Sequence, residues 1–500
     1  KHSSVIGNEM NNMVDTAPSA ENKAPNRSSR NVKKATYPTY FESFDYTQML
    51  RDYPLGDAVF EQFEGMSKNA LKALQNERFM HVVKRAWEIP FYQRIWGNAG
   101  VKPTDIQSLD DIEKLPLISK SDIMDSVEKY PPIGDFHGLD DIPPEQRPPL
   151  VFHTTSGTTG TPQPLLFGPK SREIQSLLVA RSYRFMGLKP AATIQSCYGH
   201  GMINGGHYIR EAVTKYTNSM FLSAGTGVET RSVQQVNLMK TFGVNVLVGF
   251  VDYIKRLADV AKEEGLVPGK DIKIDMIIGH LGMESRESIA KTWGNPELFD
   301  WYGVGDTGTI AAEGPDHSGM YVWEDAQYLE LLDTDTNKPV APGETGNMVV
   351  TCLYKDDVYP IIRFNTHDIT QEVVGENSLN LPFKRIKGFM GRSDNMVKLR
   401  GINIYPQGVG PMLDERSEFL GEFICEAVRD ESGRDEMIVT AEVSTPLGER
   451  DALLPAYADL LKRKIGIEVK VALVGEGELT PLTQVDIRQK PIRLIDSRFK

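Results

Sequence analysis

The chain has 500 residues, 40% hydrophobic and 25% charged, enough for two or three domains with separate cores. Its net charge of −12 argues against a nucleic-acid-binding surface and leaves room for a local basic groove around an anionic small molecule. No apolar run approaches the ~20 residues that span a bilayer. The widely spaced Cys197, Cys352 and Cys425 lack metal or redox spacing, which points to reduced thiols in the cytoplasm.

Residues 1–35 are polar, rich in Pro, Ser and Asn, and carry Glu9, Asp15 and Glu21. They read as a disordered tail rather than a signal peptide, with the stretch before Met10 or Met13 an appended leader. Helical and loop signals follow to about Lys120. Residues 71–92 carry apolar positions at helical spacing, and Pro90 is expected to end that helix.

Thr154, Thr155, Ser156, Gly157, Thr158, Thr159 and Gly160 are seven hydroxyl or glycine residues in a row. Such a run packs poorly in a core. It suits an anion cradle, where glycines let backbone N–H groups converge and hydroxyls add donors or meet Mg²⁺. Short apolar runs at 149–152 and 165–167 bound it, as expected of a loop between ordered elements rather than a free linker. No Lys follows Gly160, so the P-loop spacing is absent.

Ser171 reads as the N-cap of a helix with Ile174, Leu177, Leu178 and Phe185 on its apolar face and Gly187 as its stop. Strands and helices then alternate: strand 244–250, helix 253–264, strand 274–278, helix 285–293, strand 298–302. That alternation predicts a parallel or mixed sheet with helices on its faces. Segments 328–333 and 347–354, joined by turns without a helix, predict an antiparallel unit. Beyond 391–394 the pattern restarts with strands 423–428 and 437–443, helix 451–464 and strand 468–474. The expected fold is α/β, with a large N-terminal domain (36–393) of mixed sheets with flanking helices and a β subdomain. A small mobile α+β C-terminal domain (394–500) completes it.

Three further segments carry chemistry. Tyr302-Gly-Val-Gly-Asp-Thr-Gly308 holds a formal G-x-G-x-x-G, but 309–314 opens no helix. An acid in a glycine turn at a strand's end suits a Mg²⁺–phosphate site better than a dinucleotide. Asp368 follows a strand and reads either as a surface turn residue or as an acceptor for a ribose diol. The segment 391–401 reads as a charged linker or as a hinge.

Together and in this order these segments resemble the acyl-adenylate-forming superfamily of acyl-CoA synthetases, adenylation domains and luciferases. The match is to its phenylacetate–CoA ligase branch, from about residue 40 to the C-terminus. Tyr198-Gly-His-Gly, Gly282-Met-Glu, Trp323-Glu-Asp, Arg363-Phe-Asn-Thr-His-Asp, Gly401-Ile-Asn-Ile-Tyr-Pro and Gln489-Lys-Pro-Ile-Arg-Leu-Ile-Asp-Ser-Arg carry it with the loop.

The resemblance implies that Ser156, Gly157, Thr158, Thr159 and Gly160 hold the β- and γ-phosphates of ATP. Gly282, Met283, Glu284, Asp300, Trp301, Tyr302, Gly303 and Thr307 would frame the adenine and α-phosphate. Asp306 and Thr158 would lie near Mg²⁺, although Asp306 stands where the family usually has the longer Glu. Asp368 and Arg392 would bind ribose, and Asp394 would be the hinge. Lys490, which alone would read as a solvated lysine, would steady the carboxylate and α-phosphate, so that Lys490, Asp306 and Asp368 form the catalytic set. Gln163 replaces the superfamily's usual lysine, as that branch does.

The implied acyl pocket comprises Tyr198, His200, Gly201, Ile203, Asn204 and Asp252. His200, Ile203 and Asp252 replace an aromatic residue, Phe and Ser of the aryl branch. These swaps add hydrogen-bonding groups and remove ring surface, predicting a small or hydroxylated acid such as 2-hydroxyisobutyrate, its hydroxyl on Asp252 or His200. Equally, Asp252 caps the helix that follows. The implied reaction forms an acyl-AMP from ATP and a carboxylic acid, then a thioester with coenzyme A. It implies a monomer or homodimer with neither nucleic acid nor membrane as partner. Alternatives are an aryl acid, transfer to a carrier protein, and a catalytically silent binding protein on this fold.

Overall fold

The computed structural model describes residues 36–155, 161–282, 284–400 and 402–498. Five helices come first: α1 (Tyr46–Asp52), α2 (Asp57–Phe63), α3 (Lys68–Trp87), α4 (Pro90–Asn98) and α5 (Lys120–Lys129). Ser67 caps α3 by accepting from the Ala70 amide, and α3 ends at Trp87. Pro90 opens α4, where its missing N–H would have had no helical partner in any case.

β1 (Val151–Thr154) and β2 (Pro164–Phe167) pair antiparallel around the hydroxyl–glycine loop, Val151 opposite Phe167 and Thr154 opposite Pro164. α6 (Pro169–Phe185) starts behind Gly168, and the Ser171 hydroxyl, expected as its cap, donates to the Gly168 carbonyl from inside the first turn. This helix is buried on every side. Its charged residues survive there because each is paired: Arg172 with Glu211 at 2.7 Å, Arg181 with Asp325 at 2.8 Å.

There follow β3 (Thr193–Ser196), α7 (Gly205–Tyr216), β4 (Met220–Ser223), α8 (Ser232–Thr241), β5 (Val246–Phe250), α9 (Val251–Glu263), β6 (Met276–His280), α10 (Arg286–Thr292) and β7 (Glu297–Val304). β8 (Gly308–Glu313), β9 (Met320–Val322), β10 (Gln327–Leu332), β11 (Thr345–Cys352), β12 (Phe364–Gln371) and β13 (Arg385–Ile386) complete the larger part. The main sheet has eight strands in the order β13-β9-β8-β7-β6-β5-β3-β4. From β4 to β7 neighbours are parallel; β8, β9 and β13 add antiparallel. Val246 and Val248 face one core and Leu247 the opposite one under α8–α10, so β5 is apolar on both faces. β10, β11 and β12 form a separate antiparallel sheet, as the turn-rich spacing predicts.

The glycine motif at 302–308 is a hairpin. Gly303 lies opposite Thr309, and a Cβ on Gly303 would stand 2.6 Å from the Gly308 carbonyl oxygen. A strand, not a helix, follows, which rules out the dinucleotide fingerprint.

The last hundred residues fold around their own core, with Val397, Leu413, Phe423, Val439 and Leu461 in it. Here β14 (Val397–Leu399) and β15 (Ile402–Ile404) pair, and α11 (Val409–Leu413) leads to β16 (Phe419–Arg429) and β17 (Asp435–Val443). α12 (Leu454–Ile465), β18 (Lys470–Val474), α13 (Thr480–Thr483) and β19 (Leu494–Asp496) follow, and the sheet order is β18-β17-β16-β19. No helix among the described residues is long and apolar enough to cross a membrane. All three cysteines are buried and unpaired, and burial pushes each thiol up to about 12.

Candidate active site

Parallel strands expose their carboxyl ends along one edge, and in open α/β sheets ligands lie there. Tyr198 just beyond β3, Phe250 ending β5, His280 ending β6 and Trp301 in β7 meet at that edge. Ring centroids are 5.3 Å apart for Tyr198–Phe250, 4.9 Å for Phe250–His280 and 4.5 Å for His280–Trp301. His280 Nδ1 contacts the Trp301 carbonyl at 2.9 Å, and burial lowers its pKa to about 3, so the ring is neutral at physiological pH.

Ser156, Gly157, Thr158, Thr159 and Gly160 lie outside the described residues, as does Met283. The loop's base is defined: the Thr155 amide donates to the Gln163 carbonyl and the Gln163 amide to Thr155 Oγ1. The buried Gln163 side chain donates to Asp306 Oδ1 at 2.5 Å, and the Tyr359 hydroxyl donates to the same oxygen at 2.8 Å. The two departures from the superfamily pattern, Gln163 and Asp306, are therefore in contact. Burial pushes the Asp306 carboxyl up, and these two donors act against that shift. Lys355 is buried beside them, its Nζ 2.9 Å from the Leu166 carbonyl and 4.4 Å from both the Phe167 and Tyr359 rings. Loss of water lowers its pKa to about 8.

Among the described residues no three His, Cys, Asp or Glu side chains converge, and one oxygen of Asp306 is already engaged twice. Thr307, buried beside it, bonds its hydroxyl to the Gly308 carbonyl, while its own carbonyl accepts from Gln327 and Tyr354.

The other nucleotide candidates do gather. The Tyr302 hydroxyl donates to Asp368 Oδ2 at 2.5 Å and Arg392 Nη1 to Asp368 Oδ1 at 3.1 Å. Arg392 also forks onto Asp394 at 2.8 and 2.7 Å, so ribose candidate and hinge candidate share one guanidinium. Burial pushes the Asp368 carboxyl up, with Arg392, Tyr302 and Lys490 pulling the other way. Gly282 turns just past β6. Glu284 pairs with Lys255 at 3.3 Å, and the buried Asp300 accepts from the Leu281 amide.

Of the acyl-pocket candidates, Tyr198 joins the aromatic box. Gly201 is exposed, and its carbonyl contacts His207 Nε2. Ile203 bridges Thr154, which docks this loop on the phosphate-loop hairpin. Asn204 Oδ1 accepts from Arg172 at 2.5 Å, tying the loop to α6. The His200 amide donates to Glu229. Asp252 does not cap α9, whose N-cap Phe250 has no side-chain bond. It binds Arg493 of the C-terminal part at 2.7 Å.

Lys490 arrives from the same side. Its Nζ stands 5.8 Å from the Phe250 ring centre. The residue as a whole is exposed, yet desolvation at the ammonium lowers its pKa, opposed by Asp368. The sequence assigned no individual role to Phe250, His280, Lys355, Gln489 or Arg493, although Gln489 and Arg493 stand in the tail motif that carries the resemblance. The only signal available was position: Phe250 and His280 end predicted strands, and Gln489 and Arg493 flank Lys490.

Residues 401–498 match the family model of the AMP-binding enzyme C-terminal domain. A phenylacetate–coenzyme A ligase of Thermus thermophilus is 28% identical over 447 residues, 83% of this chain and 95% of the relative. A crystal structure of 2-hydroxyisobutyryl-CoA ligase in the postadenylation state, with R3-HIB-AMP, is similar at TM-score 0.76 and 25% identity, over 87% of this chain and 91% of that one. The same enzyme in the thioesterification state, with 2-HIB-AMP and CoA, scores 0.61 at 26% identity over the same 87% and 91%. The domain arrangement here is thus nearer the former state. A C-terminal part of AMP-binding type, similarity over most of the chain to the phenylacetate enzyme and the shared two-part fold agree: residues 401–498 belong to the AMP-binding C-terminal domain family, and the chain as a whole is similar to phenylacetate–CoA ligases and to 2-hydroxyisobutyryl-CoA ligase.

Proposed function

We propose that this chain is an AMP-forming acid–CoA ligase acting on a small, hydroxylated carboxylic acid. The observation that supports it is convergence. Lys490, carried by the last hundred residues, reaches the aromatic box at the sheet's carboxyl edge, where its charge is felt by Asp368 and Arg392.

In this reading a carboxylate oxygen attacks the α-phosphorus of ATP. The bond to pyrophosphate breaks, and an acyl-AMP forms. The two reactants are both anionic, so the protein's work is electrostatic, and the Lys490 ammonium offsets charge shared by the carboxylate and α-phosphate. Asp368, exchanging its contacts with Tyr302 and Arg392, accepts from the ribose diol. The loop at 156–160 would hold the β- and γ-phosphates, and Mg²⁺ bound with the triphosphate would offset their charge. The thiolate of coenzyme A then adds to the acyl carbon, and AMP leaves. That step needs different groups at the same carbon, so Lys490 withdraws as the chain turns at Asp394. The enzyme acts in the cytoplasm on small molecules, as a monomer or homodimer, without nucleic acid or membrane.

A second reading, an aryl acid of phenylacetate type, is favoured by the box of Tyr198, Phe250, His280 and Trp301. A panel of acids with ATP, Mg²⁺ and coenzyme A, read by thioester mass and pyrophosphate release, decides. A strong phenylacetate preference installs the aryl reading. Acid-dependent pyrophosphate without thioester points to a carrier protein, and no pyrophosphate with any acid removes the ligase reading.

A further inference from the structure

Gln489 precedes Lys490 and enters the same cleft from the C-terminal side. A Cβ on Gly199 would stand 2.5 Å from Gln489 Nε2, and one on Gly205 would stand 4.0 Å from Gln489 Oε1. The amide therefore packs against the loop between β3 and α7, where Gly199 and Gly205 leave room for it. Gln489 Nε2 is buried and has no hydrogen-bond partner. Two more nitrogens of this loop share that condition: His200 Nε2, and Asn204 Nδ2, whose residue is itself fully buried.

Buried polar groups in folded proteins are almost always bonded, and a cluster of exceptions marks where another polar group belongs. These three surround one loop, contributed by both parts of the chain, next to the aromatic box. The His200 ring loses water there, which lowers its pKa, and a neutral imidazole can accept as well as donate.

Resting on the ligase reading, we propose that Gln489 is a specificity-determining residue. Its amide N–H donates to a hydroxyl oxygen on the acyl chain, and His200 bonds the same hydroxyl from the loop. The occupant is a short 2- or 3-hydroxycarboxylate. Gln489 lies beside Gly199 and Gly205 and Lys490 Nζ stands 5.8 Å from the Phe250 ring, so the two consecutive residues reach the same cleft and read different groups of one small substrate, the hydroxyl and the carboxylate. Because Gln489 travels with Lys490, the hydroxyl is recognised only when the lysine is in place. Selectivity then appears in the rate of adenylation more than in ground-state binding.

The test compares 2-hydroxyisobutyrate with 2,2-dimethylpropanoate, which replaces the hydroxyl by a methyl, using pyrophosphate release by the full-length enzyme with ATP and Mg²⁺. Wild type is expected to favour the hydroxy acid by about 10- to 100-fold in kcat/KM, since an unmet site donor penalises the analogue. Q489L is expected to bring that ratio within about threefold, and Q489N to restore part of it. Equal loss on both acids in Q489L assigns Gln489 to holding Lys490 and overturns the proposal. Wild-type preference for the dimethyl acid or for phenylacetate overturns it while the ligase reading stands. No pyrophosphate with any acid overturns both.

Discussion

Asp252→Asn tests what holds the C-terminal part closed. The Arg493–Asp252 bond at 2.7 Å joins the two parts of the chain, with side-chain exposures of 5% and 21%. Truncating one partner of a buried charge pair commonly costs ~2–5 kcal/mol. Here the loss is smaller, because Arg493 keeps Glu422, the Phe423 carbonyl and the Phe423 ring within its own domain. About 1–2 kcal/mol is the corresponding figure, and it shifts the closed arrangement against the open one by about 5- to 30-fold. In the proposed reaction adenylation needs Lys490 in place, so pyrophosphate release should fall by up to that factor. Attack of coenzyme A on chemically prepared acyl-AMP needs, in the same proposal, the lysine withdrawn and should not slow. Stopped-flow pyrophosphate release and thioester mass measure the two separately. D252N with normal adenylation but altered acid preference would refute the latch and return Asp252 to the acyl pocket.

Lys490→Ala should lower adenylation by about 100-fold or more, the scale for removing one charge-stabilising group, while thioester formation from acyl-AMP persists; equal loss of both half-reactions contradicts its role. Gln163→Leu leaves a buried carboxylate short of a donor and should cost about 1–3 kcal/mol in urea unfolding; an unchanged midpoint would show that Asp306 does not depend on it. Lys355 titrates at about 8 when folded against 10.5 in its ordinary state. Between these values the unfolded chain holds the extra proton, so the Lys355 contribution to stability rises with pH across that window. The stability difference between wild type and Lys355→Met should therefore slope from pH 8 to 10.5, and a flat difference would mean the lysine titrates normally.

The parallel strands β5 and β6 were readable because burial on both faces leaves continuous apolar runs, with helices at period 3.6 between them, whereas the four-residue parallel strands β3 and β4 were not read. β8 was not, since its Gly308-Thr-Ile-Ala-Ala-Glu313 follows a glycine turn and has no alternation. α6 misled for a different reason. Its charged residues imitate a solvent face, yet they are satisfied by Glu211 and Asp325, 39 and 144 residues away. The site divides in the same way. Glycine–hydroxyl runs announce backbone that must approach a ligand closely, so the loop at 154–160 and the 302–308 turn stood out. Gln489, Arg493, Phe250 and His280 are single side chains whose meaning comes only from juxtaposition across the chain. Asp252 shows the cost: its local setting suggested a cap or a pocket, while its partner lies 241 residues later.

The three buried thiols have a practical consequence. With their ionisation pushed up to about 12 and their side chains buried, Cys197, Cys352 and Cys425 should react slowly with maleimide reagents at neutral pH. A surface cysteine placed on each side of residue 394 can then carry a dye pair without stripping the native ones. A pair so placed would report the proposed turn at residue 394, turnover by turnover.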